Sequence, residues 1–201
     1  MAWIIATKLD MTRVVKDDKF IPVTLLQVPT LKVVWFKTLE KDGYDAIIVG
    51  VLNKEANVEL AEGKVTLNKS VFSKIKEFPV SDEEKGKYNV GDNVSLDVLE
   101  GDVKVSIEWF SKWKWFTGAM KKHNFHGWPA THGSKFHRAL GSIGNRKPTR
   151  THKGKKMHGH HGNTQFTIKK VPVELVNKEI GVIAVRGGVP GWRNSFVNII
   201  F

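Results

Sequence analysis

The residues with the clearest chemical signature are the cations of one uninterrupted stretch, Trp109–Val173. These 65 residues contain no Asp or Glu, although the whole chain of 201 residues has 20 of them. They include 14 of the 32 Lys and Arg residues and all eight histidines. The remainder is nearly balanced, with 18 basic against 20 acidic residues, so one third of the chain carries the net charge of +12. Such charge segregation is typical of a surface that binds a polyanion, most commonly a nucleic acid.

Three features of the segment 111–163 favour RNA as that polyanion. Aromatic residues, among them Phe116, Phe125, Trp128 and Phe136, alternate with basic residues, and such rings stack on unpaired bases. The eight glycines of the segment let the backbone pass close to a nucleic acid where a Cβ would clash. Histidine shifts toward its cationic form beside phosphates, which suits it to an RNA surface.

Other chemistries for the same residues are less favoured. The cluster His158–His161, with His152 nearby, could hold zinc or nickel, but it has no cysteine or acidic ligand and lies among like charges. Ser134 and Ser142 have no acid near them in sequence to orient a catalytic base. An anionic membrane surface would favour an amphipathic helix, which the glycines and prolines of the segment oppose.

The composition argues against further classes of protein. The chain has no cysteine, so disulfides and thiolate metal sites are excluded, which fits a cytoplasmic protein. No apolar run approaches the roughly 18 residues that cross a bilayer. The N-terminal run Ala2–Ala6 is too short for a secretory signal.

Short strands on both sides of the basic segment are the elements that must position it. Runs rich in Val, Ile and Phe alternate with turn signals such as Lys16–Lys19, which predicts an all-β barrel or sandwich. The stretch Ser70–Pro79 fits either a helix or a strand. The predicted strands are Trp3–Leu9, Thr12–Val15, Phe20–Val28, Leu31–Thr38, Asp45–Leu52, Val94–Leu99, Val103–Ile107, Gln165–Val176, Val182–Val185 and Phe196–Phe201.

The contrast between the two patterns predicts the domain organisation. Residues 1–110 and 164–201 are expected to form the β body, with a small insertion at about 53–80. Residues 111–163 are expected to form a long, irregular, basic extension that leaves the body and returns to it. Because this extension has few apolar residues, it cannot collapse on itself, and we expect phosphates to order it.

Several motifs of the chain are similar to those of a known family. The run Phe125–Arg138, which contains the letters PATHGSKFHR, is followed by the GSIG sequence of Gly141–Gly144. Together with Lys153–Met157 and the N-terminal Lys8–Arg13, these runs resemble the universal large-subunit ribosomal protein L three family, bacterial type. The resemblance covers essentially the full length of the chain.

The resemblance implies a six-stranded translation-protein-type β-barrel, similar to that of reductase/isomerase/elongation-factor domains. It also implies a long loop that threads into large-subunit ribosomal RNA toward the peptidyl transferase centre. Binding near the 3′ end of that RNA, nucleation of assembly and contacts with neighbouring large-subunit ribosomal proteins are implied as well. Because the family has no catalytic residues of its own, we expect a cytoplasmic, non-enzymatic protein with no cofactor, metal, membrane partner or small-molecule substrate.

The residues expected to contact RNA all lie in the extension. Its basic residues should neutralise phosphates, its His, Phe and Asn residues should make shape or base contacts, and four glycines should allow close backbone passage. The expected RNA-binding residues are Lys112, Lys114, Lys121, Lys122, His123, Phe125, His132, Lys135, Phe136, His137, Arg138, Arg146, Arg150, Lys153, Lys155, Lys156, His158 and Asn163. The glycines are Gly133, Gly141, Gly144 and Gly154.

Two functions from other classes stay open at this point. One is a basic β-barrel enzyme or flavin-binding protein, which would not sediment with ribosomal particles at moderate salt. The other is a histidine-rich metal-binding protein, which would retain metal after dialysis.

Five tryptophans stand at positions where the resembled family has glycine: Trp3, Trp109, Trp113, Trp115 and Trp128. Glycine permits positive φ and close approach to RNA, so its repeated replacement by the bulkiest side chain is implausible as independent drift. We hypothesise that the source organism reads an opal stop codon as glycine, and that these positions are glycines in the native protein.

Peptide mass spectrometry of the protein isolated from its source organism tests this hypothesis. We expect glycine at positions 113 and 115, because a recoded codon is decoded in the same way wherever it occurs. Tryptophan at both positions would reject the hypothesis, and these rings would then count as possible base-stacking groups.

Overall fold

The computed structural model describes residues 3–53, 71–80, 86–94, 96, 99 and 103–201. The chain separates into two compact units, one formed by Met1–Trp109 with Gln165–Phe201 and the other by Phe110–Thr164. We call the first unit the body and the second the extension. The strands are β1 (Trp3–Lys16), β2 (Lys19–Gln27), β3 (Leu31–Lys37), β4 (Ala46–Leu52), β5 (Phe72–Pro79), β6 (Lys104–Phe110), β7 (Phe116–Thr117), β8 (Gly159–His160), β9 (Gln165–Asn177), β10 (Val182–Arg186) and β11 (Phe196–Ile200). Two short helices are α1 (Leu39–Asp42) and α2 (Ala119–His123).

Six strands of the body form a ring in the order β1-β11-β6-β9-β10-β2. Strand β1 pairs antiparallel with β11 and β2, and β10 pairs antiparallel with β2 and β9. Strand β11 pairs antiparallel with β6. This arrangement confirms the mainly β fold and the six-stranded, barrel-type body expected from the sequence.

Aliphatic side chains from the ring strands form the core of the body. Ile5, Leu26, Ile107, Ile183 and Ile199 come from five different ring strands, and none is more than 1% exposed. They belong to one continuous cluster of buried residues. Burying a side chain of this size stabilises the fold by about 1.5–3 kcal/mol relative to leaving it in water, so the ring is held mainly by these contacts.

A second sheet in the body has the order β3-β4-β5. Strand β4 is buried along both faces from Ala46 to Val51, as its nearly continuous apolar sequence requires. Phe78 of this sheet stacks on Trp3 of the ring, with centroids 4.6 Å apart and planes 5° apart. Trp3 is therefore a core residue of this chain, and a glycine there would leave a large void.

The structure corrects the predicted N-terminal strands. Trp3–Leu9 and Thr12–Val15 are parts of a single 14-residue strand, with a register shift between Lys8 and Met11. The bulge absorbs the break in alternation that suggested two strands. The predicted hairpin turn is confirmed: Asp17 and Asp18 have φ of 51° and 56°, the left-handed pair that a tight two-residue turn needs.

Other connections also differ in detail from the sequence prediction. The connection between the predicted strands Leu31–Thr38 and Asp45–Leu52 contains the short helix α1, which is capped by Gly43 with φ of 78°. The ambiguous stretch Ser70–Pro79 contains strand β5 and not a helix. Residues 54–70 of the predicted insertion, and residues 95, 97 and 98 of the predicted strand Val94–Leu99, lie outside the described residues.

The importance of the core can be tested by substitutions at two sites of strand β1. Ile5→Ala should lower the free energy of unfolding by about 2–5 kcal/mol, because it leaves a cavity at a fully buried position. Val15→Ala, at a position 61% exposed, is the control and should change it by about 0.5 kcal/mol or less. Equal effects in denaturant titrations would contradict this description of the core.

Candidate nucleic-acid interface

The two ends of the extension run side by side as an antiparallel pair, which we call the neck (residues 111–117 and 159–164). Strands β7 and β8 pair Phe116 with His160 and Thr117 with Gly159. The amide of Lys114 donates to the carbonyl of His161 at 2.9 Å, and the amide of His161 donates to the carbonyl of Trp115 at 2.9 Å. The extension, expected to be long and irregular, thus contains one short paired region at the neck, where backbone hydrogen bonds supply order that needs no apolar core.

Helix α2 follows the neck directly. The amide of Lys122 donates to the carbonyl of Gly118 at 3.0 Å, and the helix ends at Asn124 in the left-handed conformation. Lys121, Lys122 and His123 form its last turn, where positive charge is favourable because helical carbonyls point toward it. The helix thus presents three of the expected RNA-binding residues together.

The segment Gly127–Arg138 forms a loop that closes on itself. The amide of Trp128 donates to the carbonyl of His137 at 3.0 Å, and Nδ1 of His137 donates to the carbonyl of Pro129 at 2.7 Å. Since a carbonyl only accepts, this bond places a proton on Nδ1 and leaves Nε2 free. Every residue from Gly127 to Phe136 is exposed, so the loop presents its tip to solvent.

Few side chains of the segment 111–163 are withdrawn from solvent. Only Thr117, Ala119 and Gly162 are buried in this stretch, all of which is described. Of the expected RNA-binding residues, Lys122, His123, Phe125 and His137 are half-buried. The others are exposed, namely Lys112, Lys114, Lys121, His132, Lys135, Phe136, Arg138, Arg146, Arg150, Lys153, Lys155, Lys156, His158 and Asn163. The cationic and aromatic side chains of the extension are therefore available to a partner, because almost none of its residues is buried.

The glycines predicted to pass close to RNA have open sides toward solvent. A Cβ added at Gly133 or Gly154 would meet no atom within 4 Å, and one at Gly144 would come only within 4.0 Å of a carbonyl oxygen. A Cβ at Gly141 would approach the ring of Trp128 at 3.1 Å. Their role toward RNA stays a prediction.

Gly162 has a different role, which was not predicted from the sequence. A Cβ added there would overlap the carbonyl oxygen of Lys112, and its φ of 82° is itself strained for other residues. Gly162 therefore lets the two strands of the neck approach each other closely. No local sequence signal separates it from the other glycines, because the carbonyl that it faces lies 50 residues away in the chain.

His161 is a second residue that the sequence prediction did not place at the interface. Burial, followed by the positive charges of Lys114, Lys122, Lys121 and His123, lowers the pKa of His161 below its ordinary value. Four of the expected RNA-binding residues therefore act on the pKa of this one ring. The sequence HGHH suggested a metal ligand here, whereas strand pairing gives the residue its position.

The described part of the chain contains no group of three or more His, Cys, Asp or Glu residues placed to hold a metal ion. Its helices are also too short and too polar for any of them to cross a bilayer. His123 and His160 instead donate from Nε2 to the carbonyls of Met157 and Gly162, at 3.0 and 2.8 Å.

The tryptophans of the neck are exposed on the same basic surface. Trp113 packs edge-on against Trp115 and His160, with centroid distances of 5.5 and 5.1 Å. Trp115 is 74% exposed and has φ of 58°, a left-handed conformation that is costly for a large side chain. The backbone at Trp115 thus favours the glycine hypothesis, whereas the packing of Trp3 does not.

Curated proteins similar to this chain match it along nearly its whole length. The large ribosomal subunit protein uL3 of Fervidobacterium nodosum is 41% identical, covering 99% of this chain and 97% of that protein. The protein of the same name from Thermosipho africanus gives the same identity and coverage. The one from Syntrophus aciditrophicus is 38% identical over 98% of this chain and 91% of its own length.

The chain belongs to the uL3 family. This confirms the resemblance drawn from its motifs. Both the body and the extension lie within the uL3 match, because the alignments cover 98–99% of the chain. No family model matches it.

Substitutions at two glycines of the extension test whether Gly162 is required for the close packing of the neck. Gly162→Ala should open the neck for two reasons. The new Cβ would overlap the carbonyl of Lys112, and the left-handed φ would itself cost about 1–2 kcal/mol. Gly154→Ala, with φ of 75° and no atom within 4 Å, should carry only the φ cost. Faster amide hydrogen exchange at Lys114 and His161 in Gly162→Ala alone is the expected result, and protection retained there would contradict it.

Proposed function

We propose that this chain is a structural component of the large ribosomal subunit that binds ribosomal RNA through its extension. Membership of the uL3 family carries the proposal, since its members are named as proteins of that subunit. The role is structural and not enzymatic, and the chain would work in the cytoplasm as part of the ribosome.

The charge of the extension supports RNA as its partner. The residues of the extension include no Asp or Glu, so its lysines and arginines have no carboxylate inside their own unit. Most of these cations are exposed, and the segment has only three buried residues. Folded RNA supplies closely spaced phosphates that offset such charge, and it releases counterions on binding.

The shape of the extension supports deep contact with that RNA. Its self-closed loop Gly127–Arg138 and its open glycines present backbone as well as side chains, which suits recognition by shape. We propose that this loop reaches toward the peptidyl transferase centre, as the resemblance implies. Binding near the 3′ end of the RNA, an early role in assembly, and contacts of the body with neighbouring ribosomal proteins belong to the same proposal.

Charge-matched variants test the proposal. Binding of the purified chain to bacterial large-subunit ribosomal RNA should weaken with salt, and log K should fall by about 0.7–0.9 per phosphate contact for each tenfold rise in salt. Changing Lys153, Lys155 and Lys156 to Gln should reduce this slope by about two to three. The control changes Lys19, Lys41 and Lys104 of the body, which are equally exposed, and should leave the slope unchanged.

Two results would contradict the proposal. One is an equal loss of slope in the body variant and the extension variant, which would indicate non-specific attraction. The other is failure of the native chain to sediment with large subunits at moderate salt, which would favour a soluble β-barrel enzyme or flavin-binding protein.

A further inference from the structure

We propose that the neck and helix α2 form a built phosphate seat, in which Lys114, Lys121, Lys122 and His123 together grip the RNA backbone at the base of the extension. The inference rests on the proposed function and deepens it. It distinguishes this cluster from the other exposed cations of the extension, which would attract RNA only by their summed charge.

Backbone pairing fixes the first part of the seat. The amide of Lys114 donates to the carbonyl of His161, and that of His161 donates to the carbonyl of Trp115, both at 2.9 Å. Lys114 and His161 are therefore held next to each other on adjacent strands. Backbone hydrogen bonds within the extension hold the Cα atoms of these two residues in place.

Helix α2 supplies the second part of the seat. The Nζ atom of Lys122 lies 3.2 Å from the position that a Cβ of Gly159 would occupy. Glycine at this position of β8 therefore leaves room for the ammonium group against the strand. Nε2 of His123 donates to the carbonyl of Met157 at 3.0 Å, which fixes the orientation of that ring beside the strand.

The cluster concentrates positive charge without any internal compensation. The charged groups that act on His161 are Lys114, Lys122, Lys121 and His123, and none of them is acidic. Their repulsion adds to burial in holding the pKa of His161 below its ordinary value. Like charges brought together in this way destabilise the free protein, and a bound phosphate group would remove that cost.

Two polar atoms of the neck point to the same conclusion. Oγ1 of Thr117 and Nδ1 of His161 are buried without a hydrogen-bond partner among the described residues. Thr117 is 6% exposed, so solvent hardly reaches it. Buried polar groups are normally satisfied, so these two atoms have hydrogen-bonding capacity left for a water molecule or a bound partner.

Two charge-matched double variants test the seat. Lys114→Gln with Lys122→Gln should weaken binding to large-subunit ribosomal RNA by about tenfold or more, as expected for lost hydrogen bonds to a charged group. Lys155→Gln with Lys156→Gln removes the same charge from exposed side chains that lie outside the strand pairing of the neck, and it should weaken binding clearly less than the first pair at the same salt concentration. Amide protection at His161 should persist in the first variant, which shows that the neck is still folded.

The outcomes separate the seat from the proposed function. Equal weakening by both double variants would overturn the seat and leave RNA binding by the extension intact. No weakening by either variant would contradict both proposals. As an independent readout, NMR titration should show the pKa of His161 rising when RNA binds, because phosphates offset the lysine charges; an unchanged pKa would also overturn the seat.

Discussion

The structure of the extension depends on one electrostatic constraint: it carries many cations and no carboxylate. Apolar burial cannot compensate their repulsion, since only three residues of the segment 111–163 are buried. The backbone supplies what order there is, through the hydrogen bonds of the neck and the closed loop around His137. Such a segment is suited to a polyanion, and we propose that its polyanion is ribosomal RNA.

The body differs from the extension in both respects: a continuous apolar core holds its ring of strands, and its positive and negative charges nearly balance. Strands β6 and β9, which precede and follow the extension in sequence, are neighbours in the ring. That topology brings the chain back close to where it left. A long insertion between neighbouring strands costs little in loop-closure entropy, so the body tolerates a segment that contributes almost nothing to the core.

The tryptophan positions show how sequence comparison and local geometry can conflict. Trp115 has left-handed φ and is mostly exposed, as suits a position where glycine is natural. Trp3 stacks on Phe78 inside the core and fills space that a glycine would leave empty. A reassigned codon would give glycine at every position that it encodes, Trp3 and Trp115 alike. Peptide mass spectrometry of the native protein therefore decides between these two observations.

The sequence by itself determined the fold class, the basic segment and the family, because alternation of apolar residues, segregated charge and the PATHGSKFHR motif are local properties of the chain. It also determined the hairpin turn, since Asp17 and Asp18 tolerate left-handed φ. Only the tertiary structure decided that Gly162 packs against the carbonyl of Lys112, that β1 is one bulged strand, and that Lys114, Lys121, Lys122 and His123 act on the pKa of His161. These features join residues far apart in sequence, and their energies come from backbone pairing that no local pattern encodes.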